Sequence, residues 1–209
     1  MTDHREKLSD MNTHVFIDVS NIRSAALGSC KIKIDFTKLI KYFKEKYPNL
    51  KSVLYFEGIS SGDNEHKEQF RRYRKLGYEI RSLERKLYFD PARYKNFTCK
   101  ECKTTNRVQI RKRAGKLKSN VDVFIATEVL EVAHAATKPT HIILMSCDGD
   151  YAEMIRSACK NRDVHVTVLA TPTVKKNNAL SIRLKQLTKE LSRDQYELVD
   201  ITSIKQKIS

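Results

Sequence analysis

The sequence predicts an α/β domain built on a mainly parallel sheet with helices on both faces. Short apolar runs at 14–19, 52–56, 78–83, 140–146 and 164–169 alternate with longer stretches of helical spacing. Such alternation is the mark of successive strand–helix–strand units, which set helices over both faces of a parallel sheet. The length, 209 residues, suits one such domain, with or without an insertion. Neither an internal repeat nor a low-complexity linker divides the chain.

Residues 1–12 form a polar N-terminal tail of mixed charge, without the apolar stretch of a signal peptide. Residues 13–209 read as the domain. The run from His14 to Val19 is a buried strand that leads into Ser20 and Asn21. Asp35 is positioned to cap a helix to about Tyr47, with Phe36, Leu39, Ile40 and Phe43 on one face. Pro48-Asn49 ends it. After the strand at 52–56, Asn64 to Leu76 reads as a helix with Gly77 at its C′ position. A strand at 78–83 follows. From about 84 to 118 apolar periodicity fades and a basic, Cys-x-x-Cys-containing insertion takes over, read as a hairpin of 87–97 with 107–113. Ser119 or Asn120 then caps a helix to about Ala136, and 140–146 is a β-rich strand. Asp150 to Asn161 is helical, and 164–169 is a strand. Asn178 to Leu191 is an amphipathic helix on Leu180, Leu184, Leu187 and Leu191. Residues 196–200 form a last short strand before a helical turn.

Charge narrows the partners. There are 40 Lys and Arg against 25 Asp and Glu, a net +15, which favours a polyanion through long-range attraction and counterion release. RNA is the expected partner, with DNA as an alternative. Two clusters are suited to phosphate contact. One holds Arg71, Arg72, Arg74 and Lys75 around Tyr73. The other runs from Lys100 to Lys118 and includes Arg107, Arg111, Lys112 and Arg113. Arg-rich segments with interleaved Tyr suit phosphates and unpaired bases. No apolar run approaches the roughly 18 residues of a membrane span. An odd cysteine count, five, argues against a disulfide framework and for a reduced, cytoplasmic protein. Cys99 and Cys102 make half of a zinc knuckle; Zn²⁺ there requires ligands from elsewhere in the fold or from a partner chain. Otherwise they are a reduced or redox-labile pair. Oligomeric state is open, a dimer included.

Chemistry is concentrated in three acidic motifs. Asp18 closes the first strand. Asp148 and Asp150 follow the strand at 140–146. Asp122 falls in the first turn of a helix, where the dipole favours an anion. In parallel sheets the site lies beyond the carboxyl ends of the strands, so all four are expected at one edge. Gathered carboxylates repel one another unless a cation neutralises them, and oxygen-only ligands favour Mg²⁺ or Mn²⁺. Each residue also has a plainer reading: Asp18 as a turn cap with Ser20 and Asn21, Asp122 as a helix-start charge, Asp150 as an N-cap. Glu57, ending the second strand, is either a further ligand or a surface acid.

Three stretches carry a family resemblance: Phe16-Ile17-Asp18-Val19-Ser20-Asn21, Asn120-Val121-Asp122-Val123 running on to Glu128, and Leu144-Met145-Ser146-Cys147-Asp148-Gly149-Asp150-Tyr151. Together they resemble the NYN domain family of PIN-like nucleases over roughly residues 14–200, apart from the insertion. The third motif is the most specific. The resemblance implies a PIN-like three-layer α/β/α sandwich and Mg²⁺- or Mn²⁺-dependent ribonuclease activity. Asp18, Asp122, Asp148 and Asp150 match the acidic positions as metal ligands and catalytic residues, and Ser20 and Asn21 are candidates to contact the phosphate or a metal-bound water. Two departures stand out. Cys147 replaces the usual Gly, and Glu128 replaces a frequent Asp; six residues from Asp122, Glu128 is off its helix face and reads as supporting. The alternative is an RNA-binding regulatory module on the same fold that cleaves weakly or not at all. A haloacid-dehalogenase reading needs a second Asp where Ser20 stands, and a Toprim-like reading leaves Asp18 and Asp122 unexplained.

Overall fold

A computed structural model describes residue 8 and residues 10–111, 114–172 and 180–209. Lys112, Arg113, most of the expected tail and the start of the helix expected from Asn178 lie outside the described residues.

In chain order the elements are β1 (Asn12–Asp18), α1 (Val19–Cys30), α2 (Phe36–Lys46), β2 (Leu50–Ile59), α3 (Asn64–Leu76) and β3 (Glu79–Glu84). Four short strands follow: β4 (Lys86–Asp90), β5 (Arg93–Thr98), β6 (Thr105–Arg111) and β7 (Ala114–Lys118). The rest comprises α4 (Val121–Ala135), β8 (Thr140–Met145), α5 (Ala152–Ala158), β9 (Val164–Ala170), α6 (Ile182–Glu190), β10 (Tyr196–Asp200) and α7 (Lys205–Ile208).

Six strands form one parallel sheet in the order β10-β9-β8-β1-β2-β3. β8 and β9 are apolar along most of their length because they are buried on both faces, as parallel strands covered by helices must be. Helices α1, α2 and α3 pack against β1, β2 and β3 and α7 packs on α2, while α4 lies against β1, β2 and β8 beside α5, which in turn packs on α6. This is the expected three-layer α/β/α sandwich. Chain order reverses between β1 and β8, the topological switch point where such sheets bind ligands.

Local chemistry sets the elements beside that point. Asp35 caps α2, its Oδ1 accepting the Thr37 and Lys38 N–H groups at 2.8 and 3.2 Å. Asp63 caps α3 through the His66 N–H, and Gly77 ends it at φ +107°, open to glycine without strain. Sequence patterning assigns no element between Val19 and Asp35, yet α1 fills most of that stretch. Its buried stripe is only Val19, Ile22 and Ala26, and the Ser, Asn and Gly residues of this stretch weaken the helical pattern. β1 therefore stops at Asp18, which caps α1. The helix expected over 150–161 begins instead as a 3₁₀ turn, Gly149–Tyr151, before α5.

The segment after β3 is a hairpin of two ladders, β4 with β7 and β5 with β6. Its return strands, Thr105–Arg111 and Ala114–Lys118, extend beyond the expected 107–113. Leu87 faces Leu117, and Phe97 faces Asn106.

Candidate active site

Asp18 is the centre of the switch-point edge. It is 5% exposed, and three donors hold it. The Asn21 N–H donates to Oδ1 at 3.2 Å, while the Ser146 and Tyr151 hydroxyls donate to Oδ2 at 3.3 and 3.2 Å. Burial, only partly offset by the Asn21 N–H and reinforced by the neighbouring Asp122, pushes its carboxyl up from 3.8 to about 6.

Tyr151 joins the motifs. The same buried hydroxyl lies 3.2 Å from Asp122 Oδ1. It carries one proton, so it serves one carboxylate at a time. Burial also raises the Asp122 carboxyl, and repulsion from Asp148 and Asp150 adds to the effect. Asp18 and Asp122 thus compete for one proton, which Asp18 supplements with the Asn21 N–H and the Ser146 hydroxyl.

Asp148 and Asp150 have other engagements. Asp148 caps the 3₁₀ turn, its Oδ1 accepting the Asp150 N–H at 2.9 Å. Asp150, expected as the cap, instead points outward: its side chain is 81% exposed and pairs with Arg183 at 3.2 Å. Gly149 between them abuts Ser181, the cap of α6, and any Cβ there would run into the Ser181 side chain.

The remaining candidates separate. Asn21 Oδ1 accepts the Cys147 N–H at 2.8 Å, tying the end of β1 to the end of β8. Ser20 is exposed on the first turn of α1. Glu57 is 2% exposed and accepts from Arg23 Nη1 at 2.9 Å and the Tyr55 hydroxyl at 2.8 Å, so neither the free ligand nor the surface acid of the sequence reading describes it. Glu128 accepts from Arg81 Nε at 2.6 Å, a supporting contact. Arg71 and Arg74 are exposed on α3, and Arg111 ends β6. Cys147 needs no glycine backbone: the non-glycine residues with positive φ among those described are Lys31 and Lys103. Its sulfur instead contacts the Thr171 hydroxyl at 3.2 Å and N–H at 3.3 Å.

Sequence reasoning missed Tyr151, Ser146 and Arg23 as parts of this edge. Tyr151 and Ser146 lie inside the third motif, so their proximity was available. Arg23 lies in the helix that patterning did not register.

Among the described residues, no three His, Cys, Asp or Glu side chains are gathered to hold a metal ion as they stand. The donor set still fits a hard cation. Asp18 and Asp122 are oxygen donors bridged by one hydroxyl, both raised chiefly by burial, Asp18 further by Asp122 and Asp122 further by Asp148 and Asp150. Mg²⁺ and Mn²⁺ are commonly held by one or two carboxylates, with water and phosphate completing the shell. Among the described residues, no helix is long and apolar enough to cross a membrane.

Comparisons with known proteins agree with this architecture. A protein of unknown function, VPA0982, from Vibrio parahaemolyticus RIMD 2210633 shares the fold at TM-score 0.58 and 18% identity, over 90% of this chain and 92% of that one. Phosphofructokinase-2 from Escherichia coli aligns only at TM-score 0.37 and 13% identity, over 72% of this chain and 44% of its own. No curated protein matches the chain in sequence. The family model for the NYN domain matches residues 12–191, a span that takes in all three acidic motifs and the whole hairpin. Domains of this kind are generally nuclease-like and RNA-related. The chain belongs to the NYN domain family.

Proposed function

We propose that this protein is a ribonuclease that hydrolyses RNA phosphodiester bonds with Mg²⁺ or Mn²⁺ held at the switch-point edge. The observation that carries the reading is the pairing of Asp18 and Asp122 on the single Tyr151 hydroxyl, each 3.2 Å away, in a chain of net charge +15. Two neighbouring carboxylates that compete for one hydroxyl proton, in a nuclease-like family, suit a shared divalent cation. When bound, such a cation would neutralise them, polarise a phosphate oxygen and make a bound water nucleophilic.

The chain's own residues supply the rest. Asp18 and Asp122 would hold the ion, with Asp148 beside them and Asp150 reaching it once released from Arg183. Tyr151 keeps the first two carboxylates in register. Arg23, fixed by Glu57 and the Tyr55 hydroxyl, is suited to a phosphate near the end of β2. Ser20 lies two residues beyond Asp18, in the first turn of α1. Arg71, Arg74 and the hairpin residues Arg111, Lys112 and Arg113 would hold flanking RNA by its backbone, without reading sequence.

The Arg183–Asp150 pair favours a second reading, an RNA-binding module with little or no cleavage. The deciding assay is cleavage of labelled single-stranded and structured RNA with Mn²⁺, Mg²⁺ or EDTA, using wild type beside Asp148→Asn. Metal-dependent cutting lost in the variant supports the nuclease. Tight binding without cutting under any metal moves the protein to the module class.

A further inference from the structure

The tip of the hairpin is built like half of a metal site. Between β5 and β6 the chain reads Cys99-Lys100-Glu101-Cys102-Lys103-Thr104. The Cys99 N–H donates to the Thr104 carbonyl at 2.9 Å, and the Lys103 N–H donates back to the Cys99 carbonyl at 3.1 Å. Lys103 takes φ +58°, a left-handed conformation uncommon outside glycine. That residue curls the turn, and the Cys99 side chain interacts with the Cys102 thiol. The Cys102 sulfur lies 3.3 Å from Thr104 Oγ1. Deprotonated, each sulfur is a thiolate, the form that binds metal.

Two thiolates are half of the four ligands a structural zinc site requires. Both cysteines are exposed, and among the described residues no third His, Cys, Asp or Glu joins them. We propose that this turn is half of a zinc site completed by the same turn of a second copy, so that one Zn²⁺ joins two chains through four cysteine sulfurs. On binding, each of the four thiols gives its proton to solvent, four Zn–S bonds form, and the ion sheds its water; no oxidant or reductant takes part. The turn suits a two-fold arrangement, in which one patch must complement itself. Glu101 of one copy can face Lys100 or Lys103 of the other. The four lysines offset the double negative charge of a zinc tetrathiolate. Phe97, Val108 and Ile110 are about half exposed on the strands leading to the tip, and a second hairpin would cover apolar surface that a lone chain leaves in water.

The test is metal content and mass on the full chain, purified with reductant. Elemental analysis should find roughly one zinc for every two chains, and light scattering should find a dimer. A strong chelator should return monomer, and Zn²⁺ should restore the dimer. Cys99→Ser and Cys102→Ser, on an exposed turn, should bind no zinc and stay monomeric with an unchanged circular dichroism spectrum. Asp18→Asn should keep both zinc and dimer, which separates this site from the carboxylate edge. The proposal is overturned by one zinc per chain in a monomer, or by a dimer that survives chelation or either cysteine change. It is equally overturned if the wild type holds no more zinc than the variants, whether its thiols are free or joined as an intramolecular disulfide.

Discussion

Replacing Asp18 by asparagine should make the metal-free protein more stable while abolishing cleavage. The carboxyl is 5% exposed and titrates near 6 instead of 3.8. The gap between those values corresponds to about 3 kcal/mol of destabilisation once the group is ionised. Native Asp18 holds its proton more tightly than the unfolded chain does. The wild type therefore loses this stability as pH rises from about 4 through about 6. Asparagine has the same shape and no charge. Its carbonyl keeps the Asn21 N–H, and its amide can donate to the Ser146 and Tyr151 oxygens. At pH 7.5 with EDTA, the variant should melt about 5–10 °C higher, and the difference should vanish below pH 4. Added Mn²⁺ should raise the wild type alone, because only a native state with its ligand gains from binding. An asparagine variant less stable than wild type at pH 7.5 in EDTA, or a gap that ignores pH, would refute the reasoning.

Tyr151→Phe removes the hydroxyl shared by Asp18 and Asp122. It should cost about 1–2 kcal/mol of stability and raise the Mn²⁺ concentration for half-maximal cleavage several-fold, read from a metal titration. Arg23→Ala strips buried Glu57 of its ion pair. A loss on the order of 2 kcal/mol is expected, together with weaker RNA binding, and Arg23→Lys should recover stability better than affinity. Gly149→Ala should destabilise because its methyl meets the Ser181 side chain, and Ser181→Gly in the same chain should restore most of the loss in denaturant melts. On the hairpin, the Arg107 guanidinium lies 4.3 Å over the Tyr94 ring, a pair shaped for a base and its phosphate. Arg107→Glu should weaken single-stranded RNA binding and flatten its salt dependence by about one to two phosphate contacts, with no change in melting temperature.

The sheet was legible because buried parallel strands are short continuous apolar runs, and the three acidic motifs marked their carboxyl ends. Helices α2 and α3 were legible through Asp35 and Gly77, each a residue with one local role. Helix α1 was not, since only three of its twelve residues are buried and its other apolar residues, Ala25, Leu27 and Cys30, blur the period. The hairpin's extent was hidden for a different reason: on it Leu87, Phe89, Val108, Ile110 and Leu117 are all about half exposed. Two-residue alternation marks a strand with one face in a core, and this one has none to show it. At the site, spacing identified the carboxylates but not their separate conditions. Glu57 read as a loose acid because its partners, Arg23 and Tyr55, are fixed by packing between α1 and β2.

The four aspartates look equivalent in sequence, yet the fold grades them by backbone position. Asp18 ends a central strand, so it is buried and must be held by Asn21, Ser146 and Tyr151. Asp122 opens a helix at the rim, close enough to share the Tyr151 hydroxyl. Asp148 spends one oxygen on capping the turn after β8. Asp150, two residues on, has rotated past the edge to Arg183. An ion attracted to the first two would meet Asp148 with an oxygen to spare, and would draw Asp150 only by competing with an exposed ion pair, worth at most about 1 kcal/mol. That is a small barrier beside the repulsion relieved at Asp18 and Asp122. The Arg183 contact therefore weighs less against a metal-dependent activity than its geometry first suggests, and the buried pair on Tyr151 weighs more in its favour.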